Sequence, residues 1–366
     1  MTLKRRDLIK AGAAAGGLGA LAPATLLGSA EAAPKPLNIV FLGGTGFIGP
    51  HMVERALERG HTVTLFNRGN KSEVFPGLEQ LTGDRDGQLD ALAGRRWDAV
   101  VDTSGYVPRH VHDSAKLLAE AGTPHYLFIS TVAVYDRFEG EMDEGSALAT
   151  MDDPTVEEVN GETYGPLKVL CEKAVLDVYP ENHTILRPTY IIGPGDHTDR
   201  FIYYLDRPRQ GGRYPVPAPP DLPVRHVDVR DLANFTIHCL EQRVAGIYNT
   251  VNEPGAGSFG DVTQQALALA DTDADPVWIG GEVLEKHGLD WRFPMARNVH
   301  AEGPPPSMSP AAAMAKGFRN RPLAQSVRDT WDWWLAQPEE RRANKRDPLP
   351  AELQAQYLAA WDAENA

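Results

Sequence analysis

Apolar positions along the chain fall into short continuous runs separated by stretches of helical period. LNIVFL (37–42) is a buried run of strand length, followed by GGTGFIG and then by HMVERALERG (51–60), which repeats apolar residues at helical spacing and closes on Gly60. HTVTLFN (61–67), WDAVVDT (97–103) and HYLFIS (125–130) read as further strands, the last two separated by the helix-like RHVHDSAKLLAEAG (109–122). TYGPLKVLCEKAVLDVY (163–179) is the next strong helix and HTILRP (183–188) the strand after it. Strands alternating with helices predict a doubly wound α/β fold, a parallel sheet with helices on both faces. From Ile191 the texture changes. RQGGRYPVPAPPDLPVRH (209–226) is too rich in Pro and Gly for a regular sheet core, and a mixture of helix and loop follows Pro254. The pattern places a dinucleotide-type domain at 36–190, with 225–252 returning to it. A smaller C-terminal substrate lobe takes 191–224 and 253–340, and 341–366 is left as a tail. Trp331, Trp333 and Trp334 lie on a late helix and are expected to pack against the body.

Residues 1–32 do not read as part of this fold. Lys4, Arg5 and Arg6 precede an Ala- and Gly-rich apolar run from Ala11 to Gly28, and Ala30-Glu31-Ala32 is a small-residue cleavage pattern. The run is interrupted by Gly and Pro23, which weakens it as a membrane span, so a removable signal peptide is expected, without stable membrane insertion. The 366 residues carry a formal net charge of −14, and no basic stripe interrupts it, which opposes binding to nucleic acid. Cys171 and Cys239 both fall in helical stretches, where a free thiol is a small buried hydrophobe. His110 and His112 lack a carboxylate or Cys at ligand spacing, so no metal site is expected.

The candidate chemistry sits at strand ends. Gly43, Gly46 and Gly49, with Phe47 and Ile48 between them, lie directly between a strand and a helix. Gly43 suits a tight turn, Gly46 a close approach of backbone to a pyrophosphate, and Gly49 close helix–sheet packing, with the phosphates on the helix N-terminus. At the end of the second strand an acidic residue would hold the ribose hydroxyls of NAD; here stands Asn67, followed by Arg68 and Lys71. Losing the carboxylate and adding cations favours the 2′-phosphate of NADP over NAD. Asp84, after a third strand, is a candidate for the adenine end or a cap for its own loop. Tyr164 and Lys168 stand four apart near a helix start, on one face. A neighbouring ammonium would favour the phenolate and lower the pKa of Tyr164, which could then move a proton as hydride moves. Ser130 and Thr131 close a buried strand at the edge where ligands of such sheets bind.

Taken together, GGTGFIG, STVAVY, YGPLK, LRPTYIIGPGD and RHVDVRDLA resemble the extended short-chain dehydrogenases/reductases, the NAD(P)-dependent epimerase/dehydratase family, from about Leu37 to about Asn249. The resemblance implies a Rossmann fold, Tyr164 as acid/base, Lys168 as its modulator and ribose ligand, and Thr131 as the third catalytic group with Ser130 as the fallback. It also implies that Pro188 and the residues after it border the nicotinamide, that Arg225 and His226 lie on the substrate side, and that a four-helix contact makes a homodimer. NRG (67–69) and DTSGY (102–106) depart from the familiar sugar-nucleotide epimerases towards an atypical, isoflavone-reductase-like branch. Residues 4–10, KRRDLIK, resemble a twin-arginine signal, which implies the twin-arginine export machinery as a partner and a periplasmic or extracellular location. An exported enzyme lacks a supply of reduced dinucleotide, so a tightly bound cofactor in a redox-neutral epimerisation or elimination on a sugar or glycoside is the leading expectation. An NADPH-dependent reductase of a phenolic or keto substrate and a non-catalytic dinucleotide-binding protein remain the alternatives.

Overall fold

The computed structural model describes residues 35–296 and 306–366; the expected signal segment, 1–32, lies outside the described residues. The central sheet contains β1 (Asn38–Leu42), β2 (Thr62–Asn67), β3 (Glu79–Thr82), β4 (Ala99–Asp102), β5 (Tyr126–Ile129), β6 (His183–Pro188) and β7 (Gly246–Thr250). Their order is β7-β6-β5-β4-β1-β2-β3, and every pairing is parallel. The order reverses between β1 and β4, which opens the crevice where ligands of doubly wound sheets bind.

Alternation along each strand feeds two cores. Ile39 and Phe41 of β1 face the layer of α1 (Ile48–Glu58), where Met52 and Val53 meet Leu232 and Leu240 of the helix Val229–Gln242. Val40 and Leu42 face α2 (Pro108–Glu120) and α3 (Tyr164–Val178), through Val111, Leu118, Cys171 and Val175. Cys171 and Cys239 are free buried thiols, one in each layer. Among the described residues no helix is long and apolar enough to cross a membrane.

A third core belongs to the smaller lobe, where Phe201, Tyr204, Ile279, Trp331 and Trp334 pack together. Two expectations are corrected here. Within the proline-rich stretch, Arg213–Pro217 is a strand paired in parallel with Asp275–Ile279. The amide of Asp275 bonds to the Gly212 carbonyl and that of Ala218 to Ile279, so even-numbered residues face the partner strand. Pro215 and Pro217 therefore face away from it, where their missing N–H costs nothing. Residues 341–366 are no tail: Ala351–Asn365 is a helix whose Tyr357 is completely buried in the lobe core together with Leu349.

Candidate functional site

A cavity of about 1290 Å³ lies along the carboxyl edge of the sheet, lined by the turn after β1, the ends of β2 and β3, the loops after β4 and β5, and the start of α3. In the first turn Gly43 has φ +105° and Gly44 φ +88°, conformations that side-chain-bearing residues rarely adopt. Gly46 faces open space, with nothing within 4 Å of where a β-carbon would stand. At Gly49 a β-carbon would come within 2.5–2.6 Å of the Gly44 backbone. The close contact expected of Gly49 against the sheet is thus a contact with the turn itself. Phe47 and Ile48 line the cavity at the start of α1, which has no side-chain cap and no acidic residue in its first turn. Such a terminus suits a phosphate.

At the end of β2, the Asn67 side-chain Oδ1 accepts a hydrogen bond from the Gly69 amide at 2.8 Å. Its Nδ2 is buried and has no partner among the described residues, an orphaned donor beside the cavity. Arg68 and Lys71 are exposed, line the same end, and make no ion pair among the described residues. Asp84 does both things considered for it: it lines the cavity, and its carboxylate accepts from the Asp86 amide at 3.0 Å, capping its own loop. Arg85 anchors that loop by donating to Asp102 at 2.6 Å and to Ser114 at 2.7 Å. The glycine turn, the uncapped helix and the unpaired Asn67 donor fit a dinucleotide, with Gly43–Gly49 for its pyrophosphate and Asn67 to Lys71 for its adenosine ribose.

The reactive end lies on the other side of the switch point. Thr131 accepts from the Ala133 amide at 3.1 Å, which seats it as the cap of the turn Val132–Val134, and its side chain lines the same cavity as the Tyr164 phenol, whose pKa it helps to hold down. Lys168, one helical turn after Tyr164, donates to the carbonyls of Gly105 at 2.8 Å and Ile129 at 2.7 Å. It thereby braces the loops after β4 and β5 while keeping its third N–H free of both carbonyls. Burial lowers the Lys168 ammonium to about 8. Burial also raises the Tyr164 phenol above its ordinary value; the Thr131 side chain and the charge of Arg200 oppose that rise. The expected depression of this pKa by Lys168 is corrected: within the chain, desolvation outweighs the neighbouring charges and the phenol rests protonated.

Two further expectations change. Ser130 borders the cavity, but its hydroxyl turns inward and donates to Glu172 at 2.5 Å; Glu172 in turn takes a bidentate pair from Arg187 at 2.6 and 2.9 Å. Ser130 thus holds its loop rather than standing in for Thr131. Arg225 lines the cavity, whereas His226 is 2% exposed, bonds to the Val224 carbonyl and receives no place in the cavity wall. Burial lowers the pKa of His226. Pro188, at the end of β6, lines the cavity beside Thr189 and Tyr190.

Sequence reasoning missed Arg200, Tyr106, His197 and Glu172. Tyr106 lies 6.4 Å from Tyr164 between ring centroids, and His197 stands edge-on to Phe47 at 6.0 Å. Glu172 continues the four-residue spacing from Tyr164 and Lys168, a signal that was available; nothing local marks Arg200 or His197. Among the described residues no cluster of His, Cys, Asp or Glu has the arrangement to hold a metal.

Fold and site define a dinucleotide-binding α/β protein with a Tyr, Lys and Thr gathered at its switch point. The sequence profile of the NAD dependent epimerase/dehydratase family matches residues 39–252, and the chain belongs to that family. It is 26% identical over 235 residues to the chloroplast stem-loop binding protein of 41 kDa b from Arabidopsis thaliana, covering 59% of each chain. It is 30% identical over 173 residues to a UDP-glucose 4-epimerase of Neisseria meningitidis, covering 38% of this chain and 48% of that one. The matches span about half to three fifths of these relatives' length. Among solved structures, the Bordetella bronchiseptica enzyme WbmG in complex with NAD shares the fold with a TM-score of 0.60 at 18% identity, over 82% of this chain and 94% of that one. The cofactor for which the cradle is built is therefore NAD(P).

Proposed function

We propose that this chain is an NAD(P)-dependent enzyme that acts at a hydroxyl-bearing carbon of a sugar or glycoside by transient hydride transfer, as an epimerase or dehydratase. The observation that carries it is the convergence of Thr131, Tyr164 and Lys168 on the wall of the switch-point crevice, with Lys168 pinned between two loops. Bound NAD(P) supplies the hydride acceptor and donor. Tyr164 takes the proton of the substrate hydroxyl and returns it, Thr131 offers its hydroxyl to the same substrate oxygen, and the third N–H of Lys168 is left for a ribose hydroxyl. The charge of Arg200 favours the phenolate the first step needs, and an oxidised nicotinamide bound there would add to it.

The unpaired Nδ2 of Asn67, with the exposed Arg68 and Lys71, supports NADP as the dinucleotide. The amino-terminal resemblance to a twin-arginine signal supports export, and export supports a captive cofactor regenerated within each cycle. UDP-glucose is what the name of the Neisseria relative points to; the atypical segment at 67–69 supports a different sugar. A stem-loop partner, named for the Arabidopsis relative, is opposed by the net charge of −14. The protonated resting state of Tyr164 favours a second reading, net reduction of a keto substrate, in which the phenol serves only as acid.

Denaturing the purified protein and identifying the released dinucleotide and its redox state tests these readings. Stoichiometric NADP that survives dialysis is expected. An empty protein that binds NADPH reversibly and consumes it with a keto substrate would overturn the redox-neutral cycle. Tyr164→Phe is expected to lower turnover by about 10²- to 10⁴-fold while leaving dinucleotide binding in place.

A further inference from the structure

Two guanidinium groups in the cavity wall have no carboxylate partner among the described residues. Arg225 is half-buried, lines the cavity, and makes no hydrogen bond or ion pair with any described residue. Burial lowers its pKa, and the Tyr190 phenol is the group that counters this. Arg200 lies over the ring of the same Tyr190, with its guanidinium carbon 5.2 Å from the centroid, and spends its Nε on the Thr198 hydroxyl at 3.1 Å. Asp196 feels the charge of Arg200 but forms no ion pair with it; its carboxylate is held by the Thr198 amide at 2.8 Å. Arg200, Arg225 and Tyr164 line the same cavity, and the charge of Arg200 lowers the pKa of the Tyr164 phenol. Among the described residues, the carboxylates that line the cavity are Asp84, at the β3 end, and the exposed Glu162. Withdrawing guanidinium groups from water without an anion is unfavourable, and their planar forks match the two oxygens of a carboxylate.

Beyond the pair the wall is apolar, formed by Leu222, Pro223, Met295 and Ala296. Among the described residues, this part of the wall supplies no charged or amide side chain for a nucleotide base and ribose.

We propose that Arg225 and Arg200 form a subsite for a carboxylate carried by the substrate close to the hydroxyl carbon presented to Tyr164, which makes the substrate a hydroxy acid of the sugar-acid class. This rests on the reading of Tyr164 as the group that faces the substrate. A sugar's own carboxylate lies within a few bonds of its reacting hydroxyl, which matches cations that line the same cavity as the phenol.

The test is calorimetric binding to the full chain loaded with NADP+, using D-glucuronate and D-galacturonate against their neutral parents D-glucose and D-galactose, with UDP as a separate arm. At least one acid is expected to bind tenfold or more tightly than its parent. Arg225→Met is expected to abolish that preference, and Arg225→Lys to retain part of it. Absence of any preference for the acids overturns the proposal, and so does a preference that survives Arg225→Met. Tight binding of UDP that depends on Arg225, without preference for the acids, assigns the corner to a diphosphate and also overturns it. The dinucleotide content of the wild-type chain keeps the two readings apart: a chain that neither carries NADP+ after purification nor takes it up on titration defeats the proposed enzyme, whereas a loaded chain indifferent to the acids defeats only the carboxylate subsite.

Discussion

At Gly49 a β-carbon would stand 2.5–2.6 Å from the Gly44 backbone, whereas at Gly46 it would meet nothing within 4 Å. The two glycines therefore answer to different demands, one to the fold and one to the ligand. Gly49→Ala is expected to lower the unfolding free energy by about 1–3 kcal/mol or more, because backbone has to move. Gly46→Ala is expected to unfold within about 1 kcal/mol of the wild type, since its cost is no greater than an exposed substitution. It should nevertheless lose about tenfold in dinucleotide affinity, because the methyl group enters the space of the pyrophosphate. Urea titration and dinucleotide binding separate the two variants. A second residue ties stability to pH. His125 is buried, its Nε2 stands 2.8 Å from the Thr184 hydroxyl, and burial lowers its pKa from 6.5 to about 4, with His183 and Arg243 adding to the effect. The folded state thus keeps His125 neutral where the unfolded chain takes up a proton. Stability from this group is intact above pH 6.5 and falls as pH drops from there to about 4, by roughly 3 kcal/mol at most. Unfolding measured across that range should show the decline, and His125→Gln should flatten it.

Helix α3, which carries Tyr164 and Lys168, is fixed at the scale of elements. Glu172 on α3 joins Ser130 of the loop after β5 to Arg187 on β6, and Arg187 also donates to the Tyr135 hydroxyl at 3.1 Å. Tyr135 passes the chain of bonds to Asn249 on β7 at 2.7 Å. The Glu172–Arg187 side chains are 3% and 2% exposed, so the pair is sealed from water. Glu172→Gln leaves Arg187 a buried charge without its counterion, and a loss of about 3–5 kcal/mol is expected in denaturant unfolding. Because Ser130 precedes Thr131, the same change should loosen the cap that seats Thr131 in the cavity wall. Elements whose pattern is local were legible: β1, the glycine turn and α1 follow one another within about twenty residues, and Tyr164 and Lys168 share a helical face by spacing alone. The strand Arg213–Pro217 was not legible, because its prolines are admissible only with a single partner strand on the other side.

On the scale of the whole molecule, the last helix belongs to the core of the smaller lobe. Tyr357 is fully buried, its hydroxyl accepts from the Arg292 amide at 3.0 Å, and its ring packs on Phe293 with centroids 5.2 Å apart. Tyr357→Ala is expected to cost about 3–5 kcal/mol, an amount typical of deleting a buried aromatic ring. A residue in a solvated tail would change stability by less than about 0.5 kcal/mol, so a single urea melt discriminates. The sequence by itself determined the alternation of strands and helices, the turn that approaches a pyrophosphate, and the acidic surface, since each depends on residue type and short spacing. Only the tertiary structure decided that Thr131 shares a cavity wall with Tyr164 from thirty-three positions away, that Ser130 turns inward while Arg225 lines the cavity, and that Arg200 lines it too. The physical reason is that contacts between distant segments, and the burial that sets their pKa values, depend on how the layers stack, which no local pattern of apolar and polar residues encodes.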